Sequence, residues 1–227
     1  MKKYILIIIL LPLLMFTQNT SQSISLDAGW SLFSTYIMPE ENNMDTIFSP
    51  ITNDMIIIKD QNGNVYWPEY GLNSIGNINI GEGYQIKMSN YNNLTISGNE
   101  TDCNTDINLN NGWNLIGYLN SYETDIESQF STMIDMIIIK DDSGNVYWPE
   151  YGINSIGTVN PGKGYQIKIS SDLTFNYNCE PNCNTYNYNC DGGSWQEEVF
   201  WEIQDEDGVI ITSGGAPENG NFCLEDG

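Results

Sequence analysis

Two sets of side chains in this chain have the types and spacing for chemistry, and the first is carboxylates. The sequence carries 30 acidic residues against 7 basic ones, all lysines, and no histidine. Two similar segments each hold an aspartate (Asp60, Asp141) and a glutamate (Glu69, Glu150) at matched positions. Paired carboxylates do general acid/base work in glycosidases when about 5 to 9.5 Å apart. If Asp60 opens a hairpin turn and Glu69 lies on the returning strand, roughly 13 to 17 Å separate them at about 3.3 Å per residue. The absence of histidine also removes the usual general base and the Ser-His and Cys-His nucleophile pairs. No enzyme activity is expected.

Carboxylates can also hold calcium through hard oxygen ligands. Asp60-Gln61-Asn62-Gly63 and Asp141-Asp142-Ser143-Gly144 sit between strand-like runs, but glycine comes too early for a calcium loop and the terminal bidentate glutamate is missing. Aspartate at the first position of a type I turn is accounted for by backbone conformation alone, and that is the reading adopted. Asp205, Glu206 and Asp207 repel one another, and a cation would relieve that. Asp205 and Asp207 are therefore the metal candidates, with calcium as the ion and no other cofactor expected.

The second set is aromatic. Tyr66 and Tyr70, with Tyr147 and Tyr151 at the matched positions, form the candidate ligand platform. Flat rings with few rotamers suit stacking on sugars, and duplication suits weak multivalent binding. Trp30, Trp113, Trp67 and Trp148 are assigned to the core, because so small a β unit has little other apolar area to bury. Three consecutive isoleucines in each unit put apolar residues on both sheet faces, so strand parity does not say which ring is exposed. With these tyrosines exposed, the net charge favours a neutral glycan over an acidic one.

The elements that must position these groups come as an internal repeat. MIIIKD at 55 to 60, NVYWPEYG at 64 to 71 and GYQIK at 83 to 87 all return 81 residues later, and Gly29-Trp30 returns as Gly112-Trp113. Short β-branched runs broken by glycine, asparagine and aspartate predict an all-β fold. It has two tandem small β-sheet repeats with one short helix each, plus an incomplete C-terminal β-hairpin module. Both turns should be hairpins closed by a left-handed glycine. Thr124 to Glu127 has capping-box spacing, and a weaker counterpart runs from Asn43 through Phe48. The boundaries read 1–22 signal peptide, 23–101 repeat 1, 102–178 repeat 2, 179–190 a Cys/Asn-rich linker and 191–227 a truncated β module.

Lys2 and Lys3, an apolar run from Ile5 to Phe16 and a polar stretch to Gln22 have the layout of a secretory signal. That run is shorter than the roughly 20 residues a helix needs to cross a bilayer, so no integral membrane protein is expected after cleavage. A charge of -23 and the lack of arginine argue against nucleic acid. The five cysteines fit disulfides in an oxidising compartment. Cys190 and Cys223 are expected to bridge the third module, and Cys103 to pair with Cys179 or Cys183; an odd number leaves one thiol over.

GWNLIGY (112–118), DMIIIKD, NVYWPEYGINSIG (145–157) and PGKGYQIK (161–168) resemble a recurrent tandem module of secreted Bacteroidetes-type proteins. The tail from SWQEEVFWEIQDEDG through GGAP is similar to a second extracellular module that normally runs further. The resemblance implies secretion and modularity and transfers no catalytic residue. The expected function is surface adhesion or glycan binding, with an extracellular glycan or surface polymer as partner. The alternatives are an accessory, non-catalytic segment of a larger secreted hydrolase or peptidase, and a ligand-free structural spacer.

Overall fold

A computed structural model describes residues 20–179, 183–191, 193–204, 208 and 210–225. Repeat 1 contains β1 (Thr20–Leu26), β2 (Gly29–Phe33), β3 (Ile37–Met38), α1 (Met44–Phe48), β4 (Met55–Lys59), β5 (Val65–Trp67), β6 (Leu72–Asn73), β7 (Tyr84–Met88) and β8 (Asn92–Glu100). Repeat 2 contains β9 (Ile107–Leu109), β10 (Gly112–Gly117), β11 (Thr124–Asp125), α2 (Ile126–Phe130), β12 (Met136–Lys140), β13 (Val146–Trp148), β14 (Ile153–Asn154), β15 (Thr158–Val159), β16 (Gly164–Ile169) and β17 (Leu173–Phe175). The fold is all-β, in several small antiparallel sheets.

Each repeat is built on a five-stranded antiparallel sheet, ordered β2-β7-β4-β5-β6 in the first and β10-β16-β12-β13-β14 in the second. The glycine-tryptophan strand and the GYQIK strand are hydrogen-bonded neighbours in both. A smaller sheet (β1 with β8, β9 with β17) and the short helix close the other side of the core. Asn43 caps α1 and Asp125 caps α2 by accepting from backbone N–H groups of the first turn. The cap of α2 is thus Asp125, one residue beyond the expected start, while Thr124 is buried against the Tyr118 hydroxyl. Phe48 and Phe130 seal the matched ends of the two cores.

The triple isoleucine is resolved by a β-bulge. In β4 the register slips between Met55 and Ile57, and in β12 between Met136 and Ile138. The extra residue lets Met55 and Ile58 both enter the core while Ile57 pairs with Lys87 on the other face. Asp60 and Asp141 close the hairpins as Asx turns: Asp60 Oδ1 accepts from the N–H groups of Asn62 and Asn64, both at 2.8 Å, and Asp141 repeats this with Ser143 and Asn145. Gly63 and Gly144 follow with φ of 84° and 88°.

β1 begins at Thr20, inside the stretch read as signal peptide. Gln22 is buried and its Oε1 accepts from the Thr35 hydroxyl at 2.8 Å, so repeat 1 starts at least three residues before the expected boundary at 23. The expected linker is also corrected. Cys183–Cys190 is a strand, β18, paired along its length with β21 (Glu218–Glu225), while β19 (Phe200–Gln204) pairs with β20 (Ile210–Gly215). Asparagine and tyrosine gave no apolar alternation to read, yet Tyr188 packs on Trp201 with ring centroids 4.5 Å apart.

Cys103 and Cys179 form a disulfide that ties the ends of repeat 2. Cys190 carries a free thiol, which overturns the expected Cys190–Cys223 bridge. The register sets Cys190 opposite Glu218 and Cys223 opposite Thr185. That stagger of five residues is roughly 17 Å along the ladder, against the roughly 7 Å at which bridging already needs backbone movement. The side chains of Cys183 and Cys223 lie outside the described residues.

Candidate ligand-binding clefts between the repeats

β2 and β10 lie at the edges of their sheets, where unpaired backbone groups need covering. Each repeat covers the other's edge, and it does so reciprocally. Phe33 bridges to Lys163, and its counterpart Ile116 bridges to Glu82. Ser34 donates its backbone N–H to the Gly162 carbonyl at 3.0 Å, and Gly117 donates to Gly81 at 2.9 Å. The hairpin tips follow the same rule: Leu32 N–H donates to Asp142 Oδ2 at 3.1 Å, and Leu115 N–H donates to Gln61 Oε1 at 3.3 Å. The repeats are therefore joined about a local pseudo-twofold axis. Backbone passes so close at this seam that a Cβ on Gly83 would lie 2.6 Å from the Ile116 carbonyl oxygen.

Two equivalent clefts flank the seam. One, about 460 Å³, lies between Asp60 and Gln61 of repeat 1 and Trp113, Asn114 and Lys140 of repeat 2. Its mate, about 270 Å³, lies between Asp141 and Asp142 of repeat 2 and Trp30 and Ser31 of repeat 1. Gln85 and Gln166 line both.

Trp30 and Trp113 are not core residues, contrary to expectation, whereas Trp67 and Trp148 are half-buried with their indole Nε1 atoms inside. Cross-strand partners share a face: Trp30 pairs with Lys87 and Trp113 with Lys168, away from the core. Trp30 is 49% exposed and Trp113 50%. Lys59 and Lys87 place their Nζ atoms 5.1 and 5.7 Å from the Trp30 ring centre. Lys140 and Lys168 do the same at 4.9 and 5.9 Å from Trp113. Cation–π attraction holds the ammonium groups near the rings. Sequence reasoning passed over this cluster, although Lys59/Lys140 and Lys87/Lys168 are matched by the repeat in a chain with only seven lysines.

The tyrosine platform does not assemble. Tyr66 pairs with Ile58 and Tyr147 with Ile139, both fully buried partners, so these tyrosines enter the core at 3% and 4% exposure. Burial pushes both hydroxyls up from the ordinary phenol range, with nearby acids adding to it. Tyr70 and Tyr151 are exposed, packed edge-on against Trp67 and Trp148. They follow β5 and β13, three strands from the edge tryptophans, or roughly 14 Å at about 4.8 Å per strand.

Asp205 and Asp207 lie outside the described residues. Among those described, one group has metal-ligating types within reach, Asp102 with Cys103 and Cys179, and both sulfurs are already in the disulfide. The turn aspartates Asp60 and Asp141 direct both carboxylate oxygens at their own loops, the second through the Asn64 and Asn145 amides at 2.7 Å. No described helix is long and apolar enough to cross a membrane. Comparison with protein-family models, curated proteins and solved structures finds no match to this chain.

Proposed function

We propose that this protein is a secreted, non-enzymatic binding module for extracellular glycans and that the two inter-repeat clefts are its binding sites. The observation that supports this reading is a half-exposed tryptophan at the same place in each cleft, beside the shared amides of Gln85 and Gln166. An indole face stacks on the apolar face of a sugar, and amides exchange hydrogen bonds with its hydroxyls. One such site is weak. Two sites that meet at Gln85 and Gln166 would let a single linear chain engage both and gain affinity through effective concentration.

A disulfide across the ends of repeat 2 fits export to an oxidising compartment, as does the apolar N-terminal run. A non-catalytic role is in keeping with Asp60 and Asp141, whose carboxylate oxygens accept from their own hairpin turns. The test is affinity electrophoresis through gels containing neutral or acidic polysaccharides. At least one polymer should retard the wild type, and Trp30→Ala with Trp113→Ala should migrate as if no polymer were present while keeping its circular dichroism. Retardation unchanged in the double variant would remove the clefts as the binding sites.

A further inference from the structure

Seven lysines serve a chain with 30 acidic residues, and four of them converge on two tryptophans. Abundant carboxylates would ordinarily draw lysines into ion pairs. Among the described residues, none of these four ammonium groups has a carboxylate partner, and each lies over an indole ring. We propose that an acidic sugar residue binds at each cleft tryptophan, its carboxylate or sulfate held by the lysine pair beside the ring; Lys140 itself lines the Trp113 cleft, while Lys168, Lys59 and Lys87 stand against the rings outside the cleft linings. The proposal rests on the glycan-binding reading above and names the class of glycan.

The charge of the whole chain points the other way, and distance decides between the two. Exposed charges are screened beyond about 8 Å at physiological ionic strength. The ammonium groups lie 4.9 to 5.9 Å from the rings on which a sugar would sit, inside that length. The acids that line the clefts are engaged: Asp60 and Asp141 accept from their own turns, and Asp142 Oδ2 accepts from Leu32 N–H. A hydrogen bond to a carboxylate spends its lone pairs but leaves its charge, so the clefts differ. Trp113 faces Asp60 and the neutral Gln61, whereas Trp30 faces Asp141 and Asp142. The Trp113 cleft is the stronger of the two for an anion.

The experiment uses the full chain in affinity electrophoresis, with two matched probe pairs: polygalacturonate against its carboxyl-reduced form, and a sulfated galactan against its desulfated form. Retardation should be at least about tenfold stronger on an acidic polymer than on its neutral partner, as expected for a charged hydrogen bond. Which acidic polymer retards identifies carboxylate or sulfate as the group. Lys140→Gln with Lys168→Gln should lose most of that difference, Lys59→Gln with Lys87→Gln should lose less, and arginine at the same positions should restore it. Thermal unfolding checks that the glutamine variants remain folded. Equal retardation by acidic and neutral partners, or a preference untouched by all four lysine changes, overturns the acidic-sugar assignment and leaves glycan binding standing. Retardation by neither member of either pair, with neutral glycans bound through the tryptophans, overturns it as well. If no polymer of any kind retards the chain, the glycan reading itself falls.

Discussion

Gly83→Ala tests the seam that creates both clefts. The substituted Cβ would lie 2.6 Å from the Ile116 carbonyl oxygen, 3.0 Å from its carbon and 3.2 Å from its nitrogen, all backbone atoms with no rotamer to yield. Gly83 also donates its N–H to the Leu115 carbonyl at 3.2 Å, next to the Glu82–Ile116 bridge. Relief therefore requires the two repeats to move apart. Overpacking costs about 1 to 3 kcal/mol, and loosening the Gly83–Leu115 hydrogen bond costs about 1 kcal/mol, so a loss of about 2 to 4 kcal/mol is expected. For a body of this size that lowers Tm by roughly 5 to 15 °C. Gly164→Ala, its pseudo-twofold mate, places a Cβ 2.9 Å from the Phe33 carbonyl oxygen and should act in the same direction by a smaller amount. Guanidinium unfolding followed by tryptophan fluorescence reads both variants, and polysaccharide retardation should fall with stability, because the clefts need both repeats. Stability within about 0.5 kcal/mol of wild type in both variants would refute a tight seam.

Tyr66→Ala should destabilise the fold by about 3 to 5 kcal/mol, as large-to-small core changes of aromatic residues do, whereas Tyr70→Ala should stay within about 0.5 kcal/mol; comparable losses in urea unfolding would contradict their opposite burial. Alkaline pH should unfold the protein through its buried phenols. Burial, the largest cause, raises Tyr84 and Tyr177 strongly and Tyr165 to about 12, so the folded state keeps protons that the unfolded state loses near pH 10. The stability these groups contribute is complete below about pH 10 and is lost as pH rises toward about 12. Denaturant midpoints that agree near pH 8 and near pH 11 would refute this.

What the sequence determined by itself is the part of the structure written in local chemistry and in repetition. The all-β class, the hairpins at Asp60 and Asp141 and the division into two matched units follow from β-branched runs, turn residues and an 81-residue offset. The helices were legible from their caps to within a residue. The faces of the strands were not. A bulge in β4 and in β12 shifts parity by one residue, and that shift sends Tyr66 inward opposite Ile58. A period-two reading carries no mark of where a bulge falls. Trp30 and Trp113 lie outward because their partners across the strand are lysines, a pairing that exists only once the sheet has formed. The clefts depend on a still longer range of order. They exist because two edge strands, 83 residues apart, are each capped by the other repeat's hairpin tip, and glycine at the seam lets the backbones meet. A sequence shows that a unit occurs twice; only the packed structure decides whether the copies stand side by side or face each other across a shared site.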